Sequence, residues 1–348
     1  MSESNKFKAW ISAARLRTLP LSISGILVGS AYAYLLNHFY NITASPFGIC
    51  DIAGMMPRPI VFPYIIPILA LITTLGFQIL SNFANDYGDG VKGTDNEDRI
   101  GPMRALQSGI ISPQEMKRGI IITAVLTLVS AILLIYVSLG IDRLLISLFF
   151  LILGIAAIWA AIKYTVGDNA YGYRGLGDVF VFIFFGPVSV IGVFYLIAKS
   201  LDWNMIFPSI TIGLLSVAVL NLNNMRDMES DKKAGKNTIV VKMGLKKAKL
   251  LHYAMIVIAL FCSLRLASKI YYTKYIADGI GKLGIVENEN IYWVAFLPLL
   301  AFIPLFIHII KVRKTTSTAL LDPELKKVAL STFFFALLCV VSVWILTL

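Results

Sequence analysis

The sequence predicts an all-α polytopic membrane protein with nine transmembrane helices in a bundle, and three observations carry that prediction. Of 348 residues, 57% are hydrophobic and only 15% are charged, where soluble globular chains carry roughly 25% charged residues. The mean hydropathy is +0.78. The apolar residues also fall into runs close to the ~20 residues needed to cross a bilayer core. This balance excludes disordered, fibrous, collagen-like and disulfide-scaffold classes and argues against an ordinary cytosolic enzyme.

The runs lie near 19–36, 60–84, 119–140, 144–162, 178–198, 205–223, 250–266, 291–310 and 328–348. The first imitates a signal peptide, with Ala31-Tyr32-Ala33 in place of a cleavage site. A polar-rich lead containing Trp10 precedes it and the apolar run continues to Leu36, so it reads as a retained helix. The stretch 267–290 reads as an outer loop, and the whole chain, 1–348, as a single domain. Cys50, Cys262 and Cys339 show no CxxC spacing, so neither disulfides nor a metal cluster is implied, and structural roles are expected for Cys262 and Cys339 and for the scattered His38, His252 and His308.

Net charge is +11, from 31 Lys+Arg against 20 Asp+Glu. In a soluble chain that excess would raise nucleic acid as a partner; among apolar spans it reads as the positive-inside bias, and no nucleic acid is expected. Across the nine spans, 24 of the 31 bases fall on the same side as the N-terminus. The expectation is therefore an N-terminus in the cytoplasm and a C-terminus outside.

The acids are more concentrated. Five of the 20 carboxylates lie within 86–98 and three within 227–231, and none lies at the middle of a span. A proton or ion pathway usually needs ionisable groups inside the membrane, so a transporter or quinone-binding carrier is the weaker reading. After span 2, Asn82, Asp86 and Asp89 stand at i, i+4 and i+7; after span 6, Asn223, Asp227 and Asp231 stand at i, i+4 and i+8. Each set shares one helix face. The two sites are four spans apart, so they reach the same side of the membrane, as in a parallel four-helix repeat with one helix left over.

Carboxylates at a helix C-terminus repel the partial negative charge there and one another. Mg²⁺ resolves the conflict, since it is typically held by one or two carboxylates together with substrate phosphates. Two facing clusters therefore point to a diphosphate bridged by Mg²⁺. Most nearby bases follow from the positive-inside bias, but Lys92, Arg99, Arg226 and Lys236 stand among the acids and are candidates for clamping a diphosphate. Phe83, Tyr87 and Tyr164 are candidates for cation–π stabilisation of an allylic cation.

The motifs resemble those of the UbiA-type intramembrane prenyltransferases. Within that superfamily, Asn85-Asp86-Tyr87-Gly88-Asp89-Gly90-Val91-Lys92-Gly93-Thr94-Asp95, then Asp98-Arg99-Ile100-Gly101-Pro102, look like the 1,4-dihydroxy-2-naphthoate polyprenyltransferase branch. Tyr171-Gly172-Tyr173-Arg174-Gly175-Leu176-Gly177-Asp178, Asn224-Met225-Arg226-Asp227 and Gly235-Lys236-Asn237-Thr238 share the resemblance, which spans nearly the whole chain except 267–290. It implies that a polyprenyl diphosphate ionises and its allylic carbon joins the naphthoate ring with loss of CO₂, giving demethylmenaquinone. It also implies a bacterial inner or plasma membrane, an active site facing the cytoplasm, and Mg²⁺ as cofactor. Asn82, Asp86 and Asp89 would form the first metal–diphosphate site; Asp227 and Asp231, with Asn223 alongside, the second. The first motif departs from the commonest spacing, with Gly93 four residues after Asp89 and Asp95 as the next acid. For the acceptor carboxylate, Arg174 is the first candidate and Lys163 the next, with Arg15, Arg17 and Tyr171 at the same mouth. The acidic motifs alone leave 4-hydroxybenzoate, a homogentisate or the haem ring open as acceptors.

Overall fold

A computed structural model describes residues 3–43, 63–93, 103–281 and 289–348, and every regular element among them is helical. Nine helical stretches among these residues are long and apolar enough to span a membrane. A short α1 (Glu3–Ala14) leads into α2 (Leu19–Thr43), followed by α3 (Ile65–Val91), α4 (Pro113–Leu139) and α5 (Leu144–Lys163). The fifth span is composite: α6 (Gly177–Ile183), a π turn over Phe184–Val188 and α7 (Ser189–Ala198). Pro187 lies in that turn and has no N–H to donate, so the wider turn absorbs the lost hydrogen bond. Then come α8 (Ile206–Arg226), the short α9 (Met228–Lys233), α10 (Ile239–Gly281), a 3₁₀ segment over Glu289–Phe302 that runs into α11 (Ile303–Lys314), and α12 (Asp322–Leu346).

The bundle is built around α8, which packs on α10 and α12, while α2 lies between α7 and α12. The spans α4 and α5 pack on α3 at the edge, and the 3₁₀ segment packs on α12 and α10. Fourteen of the 21 residues of α8 are buried, whereas Ala160 is the buried residue of α5. A satellite cluster joins α1, the last turns of α3 and the start of α4 through Ala13, Leu80, Ala84, Ile111 and Met116. The start of α4 is fixed by a reciprocal cap: Ser112 Oγ accepts the Glu115 N–H at 3.3 Å, and Glu115 accepts the Ser112 N–H at 3.0 Å.

The observed helices are longer than their apolar runs. At 1.5 Å per residue the 27 residues of α3 reach about 40 Å, more than the ~30 Å of hydrocarbon. Its last turns carry Asn82, Asp86 and Asp89. The largest departure from expectation is α10. Residues 267–281 continue this helix rather than forming a loop, because their aromatic residues pack against the 3₁₀ segment. Tyr271 lies 5.5 Å from Trp293 and Tyr275 lies 5.8 Å from Tyr292. Near its start α10 is broken at Gly244, whose φ of 77° suits glycine.

Two of the three histidines meet inside the bundle. His252 Nε2 lies 2.7 Å from His308 Nε2, and His308 Nδ1 lies 2.7 Å from Glu324. Lys311 and Lys327 approach the other Glu324 oxygen at 2.8 and 3.0 Å. This network ties the first turn of α12 to α10 and α11. It is the structural role expected of His252 and His308, and Cys262 and Cys339 are free thiols.

Candidate functional site

The first acidic motif can approach its neighbours closely because position 88 is glycine. A Cβ there would stand 2.5 Å from Thr165 Oγ1 and 2.7 Å from the Thr165 carbonyl carbon. Without it, Thr165 Oγ1 donates to the Ala84 carbonyl at 3.0 Å and locks the chain leaving α5 onto the end of α3. That chain then returns over the bundle as the 3₁₀ turn Tyr171–Arg174. The Tyr173 hydroxyl donates to Asp89 at 2.9 Å, and the Tyr173 carbonyl accepts the Asn237 N–H at 2.9 Å. One short segment thus links the first motif to the loop that follows the second.

The second motif is held by its own charges. Arg226 is buried and donates to both Asp227 oxygens, at 2.8 and 2.6 Å, and to Asn223 Oδ1 at 2.9 Å. Its remaining terminal nitrogen reaches Asp322, at the start of α12, at 2.5 Å. Asp231 accepts the Lys236 N–H on its backbone carbonyl at 2.8 Å, and its carboxylate lies 3.8 Å from Lys236 Nζ.

The two motifs converge on Lys236. Burial alone would lower the pKa of its ammonium, but Asp89 and Asp231 outweigh burial and hold it above the ordinary lysine range. Burial raises the Asp231 carboxyl to about 6, with Lys236 opposing and Asp227 and Asp89 adding to the shift. Tyr164, beside the same groups, is raised to about 12 by burial and remains a neutral phenol.

A cavity of about 560 Å³ runs from this charged head into the bundle, within the size range of ligand pockets. Asn82, Asp89, Asn223, Arg226 and Lys236 line its head together with Arg15, Arg17, Gln78, Arg104 and Lys326. Asn82 also anchors the turn between α1 and α2, donating to the Ala14 carbonyl at 2.8 Å. That turn passes through Arg15 at φ 51°, a left-handed conformation that is strained for a residue with a side chain. Below the head the wall is aromatic, with Tyr171 stacked on Phe180 at 4.1 Å, Tyr164 edge-on to Tyr171 at 5.4 Å, and Phe184 beyond. Deeper still it is aliphatic, with small residues such as Gly154 and Ala157 on α5 and Gly192 on α7.

The other expected residues fall as follows. Asp86 is buried and accepts the Ala105 N–H at 3.3 Å. Lys92 donates to the Gly167 carbonyl at 2.8 Å and lies 4.1 Å above the Tyr173 ring, its pKa lowered by burial. Lys163 and Arg174 are exposed, and Arg174 donates to Asn169 at 2.5 Å. Phe83 packs on Trp10 at 5.1 Å in the satellite cluster, which Tyr87 also borders, while Tyr164 lines the cavity. Arg99, Asp95 and Asp98 lie outside the described residues. Tyr173 and Asp322 carry no role legible in the sequence, since their partners Asp89 and Arg226 are 84 and 96 residues away. Phe180 and Phe184 read as ordinary span residues.

No three His, Cys, Asp or Glu among the described residues form a cage by themselves. One Asp231 oxygen, however, is buried without a hydrogen-bond partner, a costly state for an acceptor that a cation would relieve. Few protein ligands beside a roomy, basic head suit an ion that shares its shell with a phosphate.

Comparison with known proteins agrees with this geometry. The UbiA prenyltransferase family matches residues 49–320. A 1,4-dihydroxy-2-naphthoate octaprenyltransferase of Escherichia coli is 45% identical over 258 residues, 74% of this chain and 76% of the relative. One of Haemophilus influenzae is 40% identical over 303 residues, 87% of this chain and 86% of the relative. A UbiA homolog from Archaeoglobus fulgidus, solved with DMAPP and Mg²⁺, superposes with a TM-score of 0.52 at 16% identity, covering 94% of this chain and 98% of that one, a likeness of fold. With a family match over most of its length and relatives 40% and 45% identical, the chain belongs to the UbiA prenyltransferase family.

Proposed function

We propose that this protein transfers a polyprenyl group from polyprenyl diphosphate to 1,4-dihydroxy-2-naphthoate, releasing CO₂ and diphosphate and giving demethylmenaquinone in its reduced form. The observation that carries the reading is Lys236, held charged between Asp89 of one motif and Asp231 of the other at the head of an apolar cavity. A prenyl diphosphate has the same two parts, a charged head and a hydrocarbon tail. The naphthoate as acceptor rests on the relatives named above.

Asn82, Asp86, Asp89, Asp227 and Asp231 are the residues that would hold Mg²⁺. When bound, the ion supplies neutralising charge to the diphosphate as the allylic C–O bond breaks. Lys92 and Lys236 are assigned to the leaving diphosphate, as is Arg99 from the first loop. Arg226 is assigned there too, exchanging Asp227 for phosphate oxygens. Tyr164, Tyr171 and Phe180 offer ring faces to the allylic cation, and the dry wall beyond them keeps water from capturing it. Arg15 and Arg17, which line the cavity, are assigned to the acceptor carboxylate, and the exposed Lys163 and Arg174 to drawing the anion to the mouth. The distribution of bases puts this mouth, and the N-terminus, on the cytoplasmic side of a bacterial membrane, with 1–348 acting as one domain.

The test uses purified protein with Mg²⁺, a labelled prenyl diphosphate, and either 1,4-dihydroxy-2-naphthoate or 4-hydroxybenzoate. Prenylation of the naphthoate is expected, with turnover abolished by exhaustive chelation and by Asp86→Ala or Asp227→Ala in folded, inserted protein. Near-normal transfer by either variant, or preference for 4-hydroxybenzoate, refutes the corresponding part of the reading.

A further inference from the structure

The cavity has a floor. At its deep end the wall is made by Leu134 and Ile135 of α4, Phe150 of α5 and Leu196 of α7. The Phe150 ring bridges α5 to α7, stacked on Tyr195 with centroids 5.8 Å apart. Gly192 of α7 packs beside this ring, where a Cβ would stand 3.7 Å from Phe150 Cε1, an ordinary contact. The floor is braced from behind. Ser138 Oγ donates to the Leu196 carbonyl at 2.6 Å, and the Lys199 ammonium donates to the same carbonyl. The last turn of α7 is thereby tied to α4, and the Leu196 carbonyl that a chain passing the floor would meet is already satisfied.

Distances along α5 make it a ruler. Phe150 precedes Tyr164, at the charged head, by 14 residues, which at 1.5 Å each is about 21 Å. An isoprene unit laid out along four carbon–carbon bonds of ordinary length covers about 5 Å. Gly154 precedes Tyr164 by 10 residues, or about 15 Å. It faces the cavity, and a Cβ built on it meets Ala131 Cβ at 3.9 Å, ordinary contact with room beyond.

Resting on the function proposed above, we infer that Phe150 sets the length of prenyl tail this enzyme reads, counting about four isoprene units from the diphosphate before the apolar wall ends. Each unit up to the floor meets apolar side chains and is removed from water. Units past it find no further wall along this axis and add little discrimination. Gly154, by having no side chain, keeps the third and fourth units' space open.

The experiment compares donors of two, three, four, five and eight isoprene units in mixed micelles of fixed composition, reading kcat/KM for the wild type, Phe150→Ala and Gly154→Leu. In the wild type, kcat/KM should climb several-fold per unit up to about four and change less than twofold beyond. Gly154→Leu should move the break to about three units, lowering the ratio of four-unit to three-unit donors at least fivefold. Phe150→Ala should add a gain of at least threefold between four and five units. Ratios within one preparation are unaffected by how much of it is folded. Melting-temperature shifts with non-transferable thiolodiphosphates of the same lengths locate the same break without turnover. If the break shows in binding while the naphthoate is not prenylated, the inference stands and the proposed function falls. Transfer with no break near four units, or with the same length profile in both variants, overturns the inference.

Discussion

Tyr173 shows how much of this site hangs on one hydroxyl. Its bond to Asp89 spans 84 positions of sequence at 2.9 Å, and its ring lies beneath both Lys92 and Lys236, at 4.1 and 5.5 Å. The hydroxyl therefore fixes one carboxylate while the ring face receives two cations. Hydrogen bonds to charged groups are worth roughly 1.5–3 kcal/mol. Tyr173→Phe keeps the ring and removes the bond, so kcat/KM should fall about tenfold or more, since 1.4 kcal/mol is tenfold. The melting temperature should stay within a few degrees. Steady-state kinetics at several Mg²⁺ concentrations reads this directly, and an unchanged rate would mean that Asp89 needs no such support.

At the scale of elements, the decisive contact is the one between the end of α3 and the chain leaving α5. Gly88 lies inside the acidic motif, yet it supplies no chemistry; it supplies proximity. A methyl at this position meets a backbone carbon at 2.7 Å, which a change of rotamer cannot relieve. Gly88→Ala should cost roughly 1–3 kcal/mol, the usual penalty of forcing extra bulk into packed structure. It should also displace Asp89 from Tyr173. Thermal unfolding and activity should both fall, and Thr165→Ala should fail to restore them, because the obstructing carbonyl carbon remains.

The whole bundle carries a pH signature at the end opposite its charged head. Lys199 follows α7 with a left-handed φ of 58°. Burial, aided by Arg143, lowers its pKa to about 8, below the 10.5 of an ordinary lysine. The unfolded chain therefore keeps a proton that the folded protein has released between pH 8 and 10.5, and stability should rise with pH across that window. The contribution is present above 10.5 and lost as pH falls through 8. Melting curves at pH 7, 9 and 10 should show this rise in the wild type and a flatter profile in Lys199→Met; parallel profiles would remove Lys199 as the source. The other buried charge network, His252–His308–Glu324, lies two residues along α12 from Asp322, which holds Arg226. Packing far from the chemistry thus fixes the helix that carries one of Arg226's partners.

The amino-acid sequence by itself determined the membrane class, the helical architecture, the number of spans and the positions of both acidic motifs. These are local properties: apolar run length answers to bilayer thickness, and i, i+4 spacing puts side chains on one helix face. It also carried the family, because the strings around Asp86 and Asp227 are contiguous. Only the tertiary structure decided what each charge faces. Arg226 reads in sequence as a diphosphate clamp, and the fold gives it Asp227 and Asp322 as partners. Lys163 and Arg174 read as acceptor contacts, and the fold leaves them exposed while Arg15 and Arg17 line the cavity. Residues 267–281 read as a loop because their charges interrupt the hydropathy, and contacts with Tyr292 and Trp293 keep them helical. Asp322 lies 96 residues from Arg226, and electrostatic and packing energies depend on distances that no window of sequence contains.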